Sequence, residues 1–182
     1  MVKIYKLKFT ILQQEIIKYL MINAGKSFNA RNLAVDLEVS QPAISKALPL
    51  LEKEKIILIE KDKASGRFSI ALNRDSKKNF EMKRAENLGL IYESGLADFL
   101  QENFPGATII LFGSYSRGDD NLDSDIDIAI INNKQKQIDL SKFESILFRK
   151  IVLQFYKNFK DIHKNLKDSI LNGIILSGSV DL

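Results

Sequence analysis

"LFGSYSRGDDNLDSDIDIAI", residues 111–130, holds five aspartates within positions 119–127, just after a Gly-Ser step. Apolar runs flank it: "ATIILF" at 107–112 reads as a buried strand and "DIDIAII" at 125–131 as a second. Side chains alternate along a strand, so Asp125 and Asp127 project from one face while Ile126 and Ile128 take the other. Two neighbouring carboxylates repel unless a cation lies between them. Mg²⁺ (or Mn²⁺) prefers oxygen ligands, takes one or two protein carboxylates and completes its shell with water and phosphate oxygens. An Asp-x-Asp pair alone is a weak signal, and the upstream Gly-Ser sharpens it. A glycine where a strand turns into a helix lets backbone N–H groups approach an anion closely, and Ser114 adds a hydroxyl donor.

The string "FGSYSRGDDNLDSDIDIAII" closely resembles the signature of the DNA polymerase beta-like nucleotidyltransferase superfamily, particularly its minimal microbial members. That pattern is a strand, Gly-Ser, a few residues, Gly, a spacer, then Ser-Asp-x-Asp on the next strand. Gly113, Ser114, Gly118, Ser124, Asp125 and Asp127 match it position by position. A looser likeness runs from about residue 88 to the C-terminus, where "ILNGIILSG" resembles the usual ending. The resemblance implies transfer of a nucleoside monophosphate from an NTP, with ATP the expected donor, to an acceptor hydroxyl, releasing pyrophosphate. It assigns the β and γ phosphates to Gly113 and Ser114, and catalysis and Mg²⁺ binding to Asp125 and Asp127. Arg117 either adds a positive contact to phosphate or is an exposed loop arginine. Minimal relatives that act as antitoxins imply a hydroxyl of a toxin-like protein partner as acceptor; drug-modifying relatives imply a small molecule.

One part of the family pattern is missing. Active members usually carry a third carboxylate on the strand after the Asp-x-Asp strand, here "KIVLQFY" at 150–156. Ile151, Leu153 and Phe155 take one face, Val152, Gln154 and Tyr156 the other, and neither face holds an acid. The nearest acids, Glu144 and Asp161, lie outside it, and Asp139 reads as a helix cap. Loss of a general base forfeits about 10²–10⁴ in rate, so whether the chain is an active enzyme stays open at this stage. Asp119, Asp120 and Asp123 read as a solvated loop, and His163 as an ordinary surface or packing residue.

Upstream, residues 9–23 show helical spacing, with Ile11, Ile16, Ile17, Leu20 and Met21 able to share a face. Asn29 is placed to cap a short helix, "ARNLAVDLE", and Ser40 to cap a third beginning "QPAIS". In that helix Ile44, Leu48 and Leu51 face the core, and Pro42, Ser45, Lys46, Pro49 and Lys53 the other side. "IILIEK" and "RFSIALN", joined by "DKASG", form a β-hairpin. Helix, helix, turn, helix, hairpin is the order of a winged helix-turn-helix. The string Leu33–Ile57 closely resembles the DNA-binding segment of small microbial transcription regulators. That resemblance places the third helix in the major groove of double-stranded DNA and the hairpin wing along the backbone or minor groove. Gln41, Ser45 and Lys46 would then lie near bases or phosphates, with Lys61, Lys63 and Arg67 on the wing. It also implies a homodimer. Pro49, inside the recognition helix, predicts a kink or a shortened helix, at about 3 kcal/mol in an ordinary interior. Winged helices serve protein interaction as well, so an adaptor remains an alternative.

Charge supports two partners of different kinds: residues 1–78 carry 15 Lys/Arg against 8 Asp/Glu, and residues 79–182 carry 12 against 15. With no cysteine, the 182-residue chain has no disulfide, thiolate metal site or cysteine nucleophile, which fits a cytoplasmic setting. A single histidine excludes multi-histidine metal sites. No apolar run approaches the roughly 20 residues of a membrane helix, so no membrane partner is expected. The expected class is α+β: a winged helix-turn-helix over 1–75, a helical linker or first helices of the second domain over 76–104, and a minimal nucleotidyltransferase fold over 105–182, a small mixed sheet with flanking helices. Two functions follow. One is a Mg²⁺-dependent nucleotidyltransferase with a DNA-binding domain. The other is a DNA-binding transcription regulator whose second domain senses nucleotide or mediates assembly.

Overall fold

The computed structural model describes residues 8–61 and 68–180. The chain divides into two compact units, Met1–Asn79 and Phe80–Leu182, so residues 80–104 belong with the second.

In the first unit, helix α1 (Ile11–Ile22) begins at a capping box in which Thr10 and Gln13 satisfy each other's backbone N–H groups. Ile16, Ile17, Leu20 and Met21 are buried as expected, but Ile11 is not: it is 76% exposed. At 100° per residue it lies on the side of the helix away from Leu20. Gln13 takes the inward position instead, donating from Nε2 to the carbonyl of Ala47 at 3.1 Å. Helix α2 (Ala30–Asp36) is capped by the Asn29 side chain and α3 (Gln41–Lys53) by Ser40. Ile44, Leu48 and Leu51 are buried. The shortening expected at Pro49 is absent: α3 runs through it to Lys53. Pro49 and Ser45, whose carbonyl loses its partner, both lie on the exposed side, where water can serve that carbonyl. Strands β2 (Ile57–Lys61) and β3 (Phe68–Leu72) pair antiparallel, and β1 (Ser27–Phe28), too short to read from sequence, adds to β3 for an order β1-β3-β2. The hairpin tip "DKASG" lies outside the described residues.

In the second unit, α4 (Lys77–Glu93) and α5 (Leu96–Asn103) are separated at Gly95, whose φ of +77° suits glycine, while Gly89 stays inside α4. After the Pro105-Gly106 turn comes β4 (Thr108–Phe112), buried at every residue. Helix α6 (Gly113–Arg117) follows at once, then β5 (Ile126–Ile131), α7 (Ser141–Leu147), β6 (Ile151–Tyr156), a 3-10 turn at Phe159–Asp161, α8 (Lys164–Leu171) and β7 (Ile174–Ser177). The sheet order is β6-β5-β4-β7, with β5 and β6 parallel and the other pairs antiparallel. Ile109, Leu111, Ile126, Ile128, Ile130 and Ile151 pack on one side with α5 and α7. Ile110, Phe112, Ala129 and Ile131 pack on the other with Phe159, Ile162 and Ile170. His163 caps α8, its Nδ1 accepting from the Asn165 N–H at 3.4 Å.

Candidate active site

Burial on both faces pins the register of β4 against β5, and that register sets Asp127 directly beside Phe112, the residue before the Gly-Ser step. Gly113 has φ +76°, and a Cβ added there would stand 2.5 Å from the Asp127 carboxylate oxygen Oδ2. Glycine is required twice over, for its backbone angle and for the space the carboxylate fills. The Ser116 hydroxyl donates to the Gly113 carbonyl at 2.9 Å and Ser116 is buried, so it fastens the turn from inside. Ser114 is half-buried, and its hydroxyl makes no hydrogen bond among the described residues. At the far end of α6, Gly118 has φ +79°, and a Cβ there would lie 2.3 Å from the Phe80 carbonyl oxygen and 2.7 Å from the Arg84 nitrogen. The two glycines thus fit a single helical turn between a carboxylate and a backbone.

The spacer after Gly118 closes on itself. The Asn121 N–H donates to the Ser124 hydroxyl at 3.0 Å and the Asp123 N–H to the Asn121 side-chain oxygen at 2.9 Å. This small turn delivers Asp125, exposed, to the start of β5, with Asp127 half-buried one position into the strand. Burial, reinforced by the neighbouring Asp125 charge, pushes the Asp127 carboxyl above the usual carboxylate range, and Arg117 opposes the shift. No ion pair holds Asp125 or Asp127 among the described residues. Arg117, exposed, pairs through Nε with Asp119 at 3.3 Å. Two carboxylates with unfilled electrostatic demand, beside a glycine that leaves their oxygens open, fit a divalent cation that keeps most of its water or phosphate ligands. No group of three or more such acidic, histidine or cysteine ligands occurs among the described residues.

Strand β6 lies parallel to β5 with Val152 opposite Asp127 and Gln154 opposite Ala129. No carboxylate therefore stands beside Asp127 from that strand. Gln154 accepts from the Tyr156 hydroxyl at 2.8 Å, and Glu144 turns its Oε1 to the Ile151 N–H at 2.9 Å. Asp139 accepts from the Ser141 N–H at 2.9 Å, but the N-cap of α7 is Leu140 and no side chain caps it, so the cap expected of Asp139 is only a local turn contact ahead of the helix.

Asp120 does not belong to a solvated loop. It is 1% exposed, with Oδ2 at 2.8 Å from Lys83 Nζ and 3.7 Å from Arg149 Nη2, and Oδ1 accepting from Asn87 Nδ2 at 2.7 Å. Asn87 Nδ2 also donates to the Tyr115 carbonyl at 2.8 Å, beneath α6. Lys83, Asn87 and Arg149 were not singled out from the sequence; the one hint is that Lys83 and Asn87 stand one helical turn apart on α4.

In the first unit, Gln41, Ser45 and Lys46 are all exposed on α3, and Lys61 is exposed at the end of β2, paired with Phe68. Lys63 and Arg67 lie outside the described residues. A shallow groove lined by Asn29, Ala30, Arg31, Gln41 and Phe68 adds Arg31, which periodicity gave no reason to pick.

Residues 93–177 match the family model described as "Nucleotidyltransferase domain". No curated protein matches the chain. Among solved structures, the chain is similar to adhesin competence repressor (AdcR) from Streptococcus pyogenes, at 20% identity over 55% of this chain and 69% of that one, TM-score 0.42. A variant of ZitR from Lactococcus lactis gives 18% identity, 57% and 68% coverage, and a TM-score of 0.41. MepR of S. aureus in complex with DNA gives 21%, 52% and 77%, and 0.39. Likeness at this level places no constraint on function. Among the described residues no helix is long and apolar enough to cross a membrane.

Proposed function

We propose that the second unit binds an NTP, ATP in the first instance, with Mg²⁺ and transfers its nucleoside monophosphate to an acceptor hydroxyl, while the first unit binds duplex DNA. The observation that carries the reading is the contact between the Gly-Ser turn and the Asp-x-Asp strand, 2.5 Å from a Gly113 Cβ position to Asp127 Oδ2. A shared ligand at that point would account for both the space kept open beside Gly113 and two carboxylates that no ion pair holds among the described residues.

Asp125 and Asp127 would hold the metal. Bound there, the ion would neutralise phosphate charge as it shifts to the leaving pyrophosphate. Ser114 supplies its hydroxyl and the backbone N–H groups of the turn to the terminal phosphates, and Arg117 is free to swing from Asp119 toward them, since an exposed ion pair of this kind is worth about 0–1 kcal/mol. Gly113 keeps side-chain bulk away from the phosphate path. On α3, Gln41 and Ser45 would face base edges and Lys46 a phosphate, with Lys61 on the wing alongside Lys63 and Arg67. A toxin-like protein partner as acceptor and a homodimer on palindromic DNA belong to the same proposal.

A second reading is favoured by one observation: β6 offers Val152 and Gln154 where an activating carboxylate is expected. It is a DNA-binding regulator that binds nucleotide without transferring it. Calorimetry of Mg-ATP binding to wild type and Asp127→Asn, with labelled NTP incorporation measured alongside, tests both. Metal-dependent binding lost in the variant supports the site, and incorporation then separates the transferase from the sensor. Absence of binding by any NTP would sink both. Duplex binding that does not weaken between low and moderate salt would remove the DNA-binding part, because phosphate contacts by Lys and Arg release counterions.

A further inference from the structure

We propose that Asn87, on α4, is a positioning residue for the phosphate turn, taking the Tyr115 carbonyl and so fixing α6 before any nucleotide arrives; this rests on the phosphate role proposed above for Gly113 and Ser114. Asn87 lies upstream of residues 93–177, the span of the family match.

Helix α6 is too short to hold itself. It has five residues, with left-handed glycines at both ends: Gly113 as its first residue and Gly118 just beyond its last. A single turn fixes several backbone angles for about one hydrogen bond, and glycine loses more freedom on ordering than any other residue. Other partners must hold the turn. The Gly113 carbonyl accepts from the Ser116 hydroxyl at 2.9 Å, and the Ser114 carbonyl from the Gly118 N–H at 2.9 Å. The Tyr115 carbonyl would next meet the N–H of Asp119, but the helix stops at Arg117 and Gly118 turns the chain away. Asn87 Nδ2 supplies the missing donor at 2.8 Å.

The surroundings leave the Asn87 amide one orientation. Its Nδ2 carries two hydrogens, one for the Tyr115 carbonyl and one for Asp120 Oδ1 at 2.7 Å, and its Oδ1 accepts from Lys83 Nζ at 3.2 Å. A flipped amide would set its oxygen against a carbonyl and a carboxylate. Asn87 is buried, so solvent does not compete for these bonds. Phe80, Arg84 and Asn87 stand at i, i+4 and i+7, one face of α4. Gly118 fits against the backbone of the first two and the Tyr115 carbonyl meets the third, so α4 is the bed on which α6 rests. Tyr115 is buried in the core on its other side, with Ile109, Leu111 and Ile126. A turn fixed in advance binds phosphate without the cost of ordering itself, and a turn only fractionally formed lowers the affinity by that fraction. Leaving a buried carbonyl unpaired shifts such an equilibrium by about 5- to 150-fold.

The test uses the full chain and Mg-tripolyphosphate, which engages the phosphate turn without a base. Asn87→Asp keeps the side chain's size and an acceptor for Lys83, but its carboxylate has no hydrogen for the Tyr115 carbonyl. Asn87→Leu also lacks the donor and adds no charge. Calorimetry should show Mg-tripolyphosphate binding weakened by about 5-fold or more in both. Mn²⁺ alone, followed by electron paramagnetic resonance, should bind Asn87→Leu as it binds wild type, because neither Asp125 nor Asp127 stands on α6. Amide hydrogen exchange without ligand should quicken at Gly118 in both variants while the β4 amides stay protected. That measurement decides the matter on Asn87→Asp alone if the leucine variant does not fold, since added charge by itself would not speed exchange at Gly118. Unchanged tripolyphosphate affinity, or unchanged Gly118 exchange, overturns the positioning role and leaves the phosphate site standing. Equal loss of Mn²⁺ and tripolyphosphate overturns it too, since Asn87 would then support the whole unit. If wild type binds no tripolyphosphate, the site reading itself fails and the positioning role fails with it.

Discussion

Asp120 and Asp127 are seven residues apart in one motif, and their surroundings are opposite. Asp120 is enclosed with Lys83, Arg149 and Asn87, so every carboxylate oxygen has a partner and its charge is met by two cations. Asp127 is half-buried beside another carboxylate, with its pKa raised by burial and by that neighbour. A buried charge that is compensated within the protein holds structure; one left uncompensated near the surface is available to a ligand. The contrast separates the scaffold of the motif from its chemistry, although both are written in the same amino acid.

The contrast can be broken most forcefully at Asp120. Asp120→Asn removes the carboxylate that meets the buried Lys83 and Arg149, and the expected loss is about 3–5 kcal/mol, a large part of a typical domain's stability. Urea unfolding followed by circular dichroism reads this directly; a midpoint equal to wild type would show that the cluster is not an ionic anchor. Next in size is Gly118→Ala, where left-handed strain of about 1–2 kcal/mol adds to a collision with the α4 backbone that cannot rotate away. Gly113→Ala carries the same strain but meets a carboxylate that can turn, so it should be less destabilising and yet abolish metal-dependent nucleotide binding. Equal stabilities for the two alanine variants would contradict the assignment of one glycine to scaffold and the other to site.

The smallest effect is expected from Asp127→Asn on stability. Because folding raises the Asp127 pKa, its ionised form opposes folding at neutral pH. Removing the charge should therefore raise the melting temperature slightly above the folded pKa. The gain should shrink as pH falls and vanish below about 3.9, the ordinary Asp value, where both states are protonated. Thermal scans from neutral to acid pH would check this, and a variant that melts below wild type at neutral pH would show that Asp127 is a structural carboxylate like Asp120.

Much of the molecule was legible in the chain. Caps at Asn29 and Ser40, the alternation of "DIDIAII" and the Gly-Ser step are local features, and local features survive whatever surrounds them. Inward and outward faces of marginal positions were not: Ile11 and Gln13 exchanged the roles hydropathy assigns them, because Gln13 finds the Ala47 carbonyl and a cap where Ile11 finds only solvent. Pro49 sits on the exposed side of α3, and the shortening expected there did not follow.

By itself, the sequence determined that Asp125 and Asp127 share a face behind a glycine turn, since strand alternation and glycine's backbone freedom depend only on neighbours in the chain. Only the tertiary structure decided which aspartates are neutralised. The cations that meet Asp120 come from Lys83 and Arg149, 37 residues before and 29 after it, and a charge's fate depends on distance in space, which spacing along the chain does not report.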